Sequence, residues 1–305
     1  MDRPDQPRPS RPDERPAAGG TPPVTALRLQ LDGLSYHVEV AGDGPPLLLL
    51  HGFTGCAAVW RPFLPAWARR RRIVAVDLPG HGRTDAPRDP ARCRTERVAD
   101  DLCRLMDRLS IGKAAVLGYS MGGRLALSLA MLAPERVSAL IVESGSPGLA
   151  DAGERLARAR QDEELAARIE RDGVEAFVDD WENLPLFSTV RRMPERVRHE
   201  LRRMRLANRP DGLAASLRGM GTGVQPSWWD RLPSLAVPVQ LIVGELDGKF
   251  RRIAERMQAL LPDARLAVVP DAGHLVHVEK PEIFATIVMH FLQSTTESNG
   301  STEEA

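Results

Sequence analysis

The 305-residue chain carries no charge bias: 41 lysines and arginines offset 41 aspartates and glutamates, for a formal net charge of zero and a pI near 7.1. That balance removes the global basic field that nucleic acid or an anionic membrane surface would recruit. Lysine is nearly missing. Only Lys113, Lys249 and Lys280 occur, so the basic side is almost wholly arginine. Genomic base composition accounts for most of that excess, yet arginine is also the residue suited to bidentate carboxylate binding. Cysteine is scarce, with Cys56, Cys93 and Cys103 in odd number and without CxxC or metal-ligand spacing. This excludes a disulfide framework and fits a reducing compartment, with the three read as small apolar residues. No apolar run approaches the roughly 18 residues that a membrane span needs. The opening "MDRPDQPRPSRPDERPAAGGTPP" has no apolar stretch of the kind that a signal peptide requires. The expectation is a soluble, cytoplasmic protein, a monomer or small homo-oligomer, with no nucleic-acid or membrane partner.

What is present is alternation. "LRLQLDGLSYHVEVAG" alternates apolar and polar residues around Asp32-Gly33, the signature of a β-hairpin. "PPLLLLHGF", "RRIVAVDLPGHGRT", "KAAVLGYS", "VSALIVESG", "PVQLIVGELD" and "ARLAVVPDAGH" are short apolar runs ending in turns, the pattern of strands buried on both faces. Helical periodicity separates them: Val98, Leu102, Leu105, Met106 and Leu109 recur at helical spacing, and "MGGRLALSLAMLAP", "FRRIAERMQALLP" and "PEIFATIVMHFLQ" read as helices. Strands alternating with helices predict an α/β fold with a mostly parallel central sheet flanked by helices. Between about Leu149 and Leu232 the alternation stops, and the arginine- and glutamate-rich chain there reads as helical. The predicted organisation is a disordered leader over 1–23, a core over 24–148, a helical cap insertion over 149–232, the rest of the core over 233–293, and a disordered tail over 294–305.

Gly118-Tyr119-Ser120-Met121-Gly122 matches G-x-S-x-G at the junction of a strand and a helix, the context that motif requires. The strained turn needs glycine two residues to either side, and it lifts the Ser120 hydroxyl to a helix N-terminus that favours developing negative charge. Such a hydroxyl needs a base, and the base an orienting acid, in the chain order Ser…Asp/Glu…His. Asp247, just past a buried strand, is preferred to nearby Glu245 as the acid, and His274, after Ala272-Gly273, is the base. All three fall at C-terminal ends of parallel strands and should converge over the sheet edge. The backbone amides of Met121, next to the serine, and of Phe53, in "LLHGFTG", are the candidate oxyanion donors. His51 reads as a structural turn residue. "DLPGHGRTD" lacks GK[ST] and reads as a tight turn rather than a phosphate cradle. His277 and Glu279 lie close to His274 but have no H-E-x-x-H pattern, so no metal is assigned.

Arg124 sits one turn beyond Ser120 and on its face of the helix. It must pair with an internal carboxylate such as Glu143 or receive one from a substrate.

The triad constellation resembles the α/β-hydrolase superfamily over roughly Ser35 to Gln293. "GYSMGGR", "ESGSPGL", "RLARARQDEELAARI", "WENLPLF", "MRLANRPDGLAASLRGMGTGVQPSWW" and "GELDGKF" resemble more narrowly the MenH family, the 2-succinyl-6-hydroxy-2,4-cyclohexadiene-1-carboxylate synthases of menaquinone biosynthesis. That resemblance implies a lyase that expels pyruvate from a small polycarboxylate without cofactor or metal, using the triad as a general base. It also implies carboxylate-binding roles for Arg124, Arg158 and Arg205, with Arg155 and Arg160 as neighbours that compete with Arg158. Tyr119 and Trp181 match pocket residues, although Trp181 equally suits a core anchor. The alternatives are an esterase or C–C bond hydrolase with the same triad, and a non-catalytic receptor on the same scaffold.

Overall fold

A computed structural model describes residues 22–300, with side chains through residue 295. The hairpin strands β1 (Thr25–Leu31) and β2 (Leu34–Ala41) are joined by Asp32 and Gly33, both at positive φ (43° and 81°). That is the two-residue turn whose twist matches paired strands. Then follow β3 (Pro46–Leu50), a 3-10 segment over Ala57–Phe63 running into α1 (Leu64–Trp67), β4 (Arg72–Val76), α2 (Thr95–Arg108), β5 (Ala114–Tyr119), α3 (Met121–Leu132) and β6 (Val137–Glu143). After a strandless stretch come β7 (Val239–Gly244), α7 (Gly248–Leu260), β8 (Ala264–Val269), α8 (Val276–Glu279) and α9 (Pro281–Gly300). The intervening helices are α4 (Ala152–Glu182), α5 (Glu195–Leu206) and α6 (Pro210–Met220).

The eight strands form one sheet in the order β1-β2-β4-β3-β5-β6-β7-β8, antiparallel at the first two pairings and parallel thereafter. The apolar run of β3 shows why such strands lack polar alternation. Leu48 and Leu50 face one core with Val98 and Leu102 of α2 and Leu125 of α3, while Leu47 and Leu49 face another with Trp60, Trp67 and Phe284. Successive side chains point to opposite faces, and helices cover both. The segment over 57–67, which sequence periodicity did not single out, supplies much of the second core through its tryptophans.

The cap has its own small core of Ala166, Ile169, Phe177, Leu213 and Leu217, packed between α4 and α6. Asp151 caps α4 by accepting the Glu154 amide at 2.8 Å. Gly173, at φ 85°, divides α4 into two arms, a conformation open to glycine because it has no Cβ.

One boundary differs from expectation. The tail expected to be unstructured from residue 294 continues α9 to Gly300. Phe284, Val288, Phe291 and Leu292 anchor that helix on the core, and its polar continuation carries Ser294 and Thr295 bonding back to the carbonyls of Phe291 and Leu292. Residues 1–21 of the expected leader and 301–305 of the expected tail lie outside the described residues. Among the described residues, no helix is long and apolar enough to cross a membrane.

Candidate active site

Ser120 sits between β5 and α3 at φ 51°, ψ −107°, a region that side chains avoid unless the surroundings hold them there. Its neighbours explain how. A Cβ on Gly118 would collide with the backbone of Gly122, and one on Gly122 with the carbonyl of Leu50. The Ser120 amide is tied to the Glu143 carbonyl of β6 at 2.8 Å. Asp247 follows β7 and caps α7, its Oδ1 accepting the Phe250 amide at 3.3 Å. Its Oδ2 lies 2.6 Å from His274 Nδ1, and His274 Nε2 lies 3.1 Å from Ser120 Oγ. A proton on Nδ1, donated to Asp247, leaves Nε2 to accept the serine proton. Glu245, the competing acid, instead accepts the Asp271 amide.

The two amides expected to receive an oxyanion are unengaged. Neither the Phe53 nor the Met121 N–H has a hydrogen-bond partner among the described residues, and both residues line the cavity over Ser120. Met121 opens α3, where the first amides have no intrahelical acceptor. His51 is structural: its Nε2 accepts the Leu78 amide at 2.9 Å, and Nδ1 donates to the Gly52 carbonyl. Burial pushes its pKa down. The "DLPGHGRTD" loop is held by Asp77, which accepts the amides of Ala57 and Arg83.

The cavity measures about 520 Å³. Ser120, Asp247 and His274 line its scaffold side, and Arg124, Arg158, Leu165, Trp181 and Leu217 line much of the rest. Arg124 does not pair with Glu143. It donates to the Met220 carbonyl at 2.8 Å and to Gln225 Oε1 at 2.5 Å, both neutral acceptors. Glu143 is taken by His277, whose Nδ1 lies 2.8 Å from Oε1 and whose amide also donates to it. Desolvation, and next the Arg158 guanidinium, press the Arg124 pKa down to about 10. It therefore stays cationic at neutral pH in surroundings that favour an incoming anion.

Of the three crowded arginines, Arg158 faces the cavity, held by Asp162 at 2.7 Å. Arg155 caps the carbonyls of Leu149 and Ala150, and Arg160 is exposed.

Arg205, expected from the resemblance to bind a carboxylate, does not line this cavity. It borders a separate chamber of about 40 Å³ behind Trp181 and Phe187. Glu182 binds its Nη1 at 2.9 Å, and its guanidinium lies 5.2 Å from the Phe187 ring centre. An acid and an aromatic face already occupy the side chain that was expected to bind a carboxylate.

These features sit on a scaffold with known counterparts. The alpha/beta hydrolase fold family matches residues 45–281. A Bacillus subtilis (strain 168) protein named "Putative 2-succinyl-6-hydroxy-2,4-cyclohexadiene-1-carboxylate synthase" is 49% identical over 267 residues, covering 86% of this chain and 96% of its own. The chain belongs to the 2-succinyl-6-hydroxy-2,4-cyclohexadiene-1-carboxylate synthase family. Another synthase of that name, from Photorhabdus laumondii, is 34% identical over 254 residues, covering 82% of this chain and 86% of its own. The solved structure described as MenH from S. aureus superposes with a TM-score of 0.82 at 33% identity, over 86% of this chain and 98% of that one.

Within this synthase-family chain, Tyr119 and Trp181 both reach the cavity. The Tyr119 ring lies 5.4 Å from that of His274, and burial, then Glu143, drives its phenol pKa well up. Trp181 packs against Phe53, Phe177 and Phe187, and among the described residues its buried indole N–H has no partner.

Three contributors escaped the sequence. Gln225 braces Arg124 from a hundred positions away, which no local pattern signals. Glu279, considered only as a metal-like neighbour, accepts the amides of Gly273 and Leu275 at 2.8 and 3.2 Å, clamping the backbone on both sides of His274. Lys249 lines the cavity two residues beyond Asp247. Its signal was visible, since one of only three lysines falls beside the triad.

Proposed function

We propose that the protein eliminates pyruvate from 2-succinyl-5-enolpyruvyl-6-hydroxy-3-cyclohexene-1-carboxylate, giving 2-succinyl-6-hydroxy-2,4-cyclohexadiene-1-carboxylate for menaquinone synthesis. The observation that carries this reading is one cavity with a general-base triad on one side and two cationic side chains, Arg124 of α3 and Arg158 of the cap, on another. Membership of the synthase family supports it independently. A wall of that charge suits a substrate with several carboxylates better than a neutral ester.

In this mechanism Asp247 holds the His274 imidazole in the tautomer that accepts the Ser120 proton. Ser120 then takes a ring proton next to the succinyl carbonyl, acting as a base and not as an acylating nucleophile. The Phe53 and Met121 amides receive the enolate oxygen. The electron pair moves through the ring, shifting its double bond and expelling the enolpyruvyl group. General bases of this kind contribute about 10²–10⁴-fold, and each oxyanion donor about 10²–10³-fold. The substrate is a small molecule, and no cofactor takes part.

The test is to mix purified protein with the precursor and assay pyruvate. Pyruvate release without hydrolysis of simple acyl esters is expected. Ester hydrolysis with no pyruvate would establish the hydrolase reading in its place, and in-cell function retained by Ser120→Ala would establish the non-catalytic receptor.

A further inference from the structure

We propose that Lys249 grips the carboxylate of the enolpyruvyl group that leaves, while Arg124 and Arg158 grip the carboxylates that stay; the inference rests on the function proposed above. The precursor bears three carboxylates, on the ring, the succinyl arm and the enolpyruvyl group, and the product keeps the first two. Arg124, Arg158 and Lys249 line the cavity, and Asp247, the carboxylate lining it, is committed to His274.

The three cations are built differently. Arg124 is fixed by Met220 and Gln225, and Arg158 by Asp162. Their planar forks are thus pre-set for groups that remain bound through the reaction. Lys249 has no ion-pair partner among the described residues, and its ammonium rests 5.6 Å from the Phe250 ring centre. Phe250 in turn packs on His274 with ring centres 4.6 Å apart, so the lysine stands on the triad's side of the cavity.

Its place in the helix is electrostatically unfavourable unless an anion comes. Lys249 lies in the first turn of α7, which contains no acidic residue, and cations there oppose the helix dipole. A single flexible point charge also suits a group that must be released, where a bidentate fork would retain it.

The chemistry gives the lysine its task. The C–H electron pair becomes a new ring double bond, the existing one shifts, and the ring carbon–oxygen bond breaks with its pair going to the departing oxygen. The leaving enolate takes one proton at its methylene carbon to become pyruvate, so the reaction balances without a co-reactant. Negative charge on the leaving group rises as that bond breaks, and a nearby ammonium is worth more in the transition state than before it.

The test compares wild type, Lys249→Ala, Lys249→Arg and Arg124→Ala for pyruvate release and for inhibition by the dicarboxylate product. Lys249→Ala is expected to lower kcat/KM by about tenfold while leaving the product inhibition constant within about twofold, and to lose inhibition by added pyruvate. Lys249→Arg should recover most of the loss, and Arg124→Ala should weaken substrate and product together. Product affinity falling in parallel in Lys249→Ala, or no change in either constant, would overturn the assignment. A wild-type enzyme that releases no pyruvate would bring down the parent reading first, which keeps the two failures distinct.

Discussion

The triad and the charged wall of its cavity treat their side chains in opposite ways. Each triad side chain has a partner: Asp247 spends its oxygens on Phe250 and His274, His274 spans Asp247 and Ser120, and Glu279 pins the amides on either side of His274. On the wall built from α3 and the cap the partnerships are incomplete. Arg124 has two neutral acceptors, Arg158 has one carboxylate on Nε, and the Trp181 indole is unpaired among the described residues. A fully satisfied network holds a fixed geometry, which proton transfer needs, whereas an unsatisfied wall holds hydrogen-bonding capacity for a ligand. Under the proposed function the triad does the chemistry and the charged wall does the recognition.

That division can be broken by substitution. The largest effect is expected for Ser120→Ala, which removes the base and should lower kcat by about 10³-fold or more with KM nearly unchanged. Equal losses in both constants would show that the serine also binds substrate. Arg124→Ala should reverse the pattern, raising KM by about 30-fold or more while thermal unfolding stays close to wild type. A collapse in melting temperature with KM unchanged would make the arginine a strut of the cap. Glu279→Gln sharpens the scaffold side. It keeps one acceptor for the two amides beside His274, and kcat should fall by about threefold to tenfold with KM steady. The smallest effect belongs to Cys56, whose thiol is pushed up to about 11 by burial and then Asp77. It remains protonated below that pH, so alkylating reagents at pH 8 should leave activity intact, with labelling rising only as the pH nears 11.

The same contrast marks what could be read from residues alone. Ser120, Asp247 and His274 were legible because each follows a parallel strand, and strand ends in a parallel sheet converge by topology. The cap was harder, because its contacts join distant helices through a fold that periodicity does not encode. Arg158 could not be told from Arg155 and Arg160 by sequence, since all three fall within two turns of α4 and only packing decides which one turns inward. Arg205 matched a family position, yet Glu182 and Phe187 engage it, and neither pairing follows from spacing. The continuation of α9 past residue 293 went unseen because its last turns are polar and gain their helicity from the buried turns before them.

The most direct check is a single titration of Ser120→Ala with the precursor, following bound ligand and released pyruvate in the same samples. If base and binding wall are separate devices, the variant should bind the precursor about as tightly as the wild-type KM implies and release pyruvate at least about a thousandfold more slowly. Pyruvate formed at the wild-type rate, or binding lost along with turnover, would mean that the proton is taken elsewhere or that the two sides of the cavity are not separable.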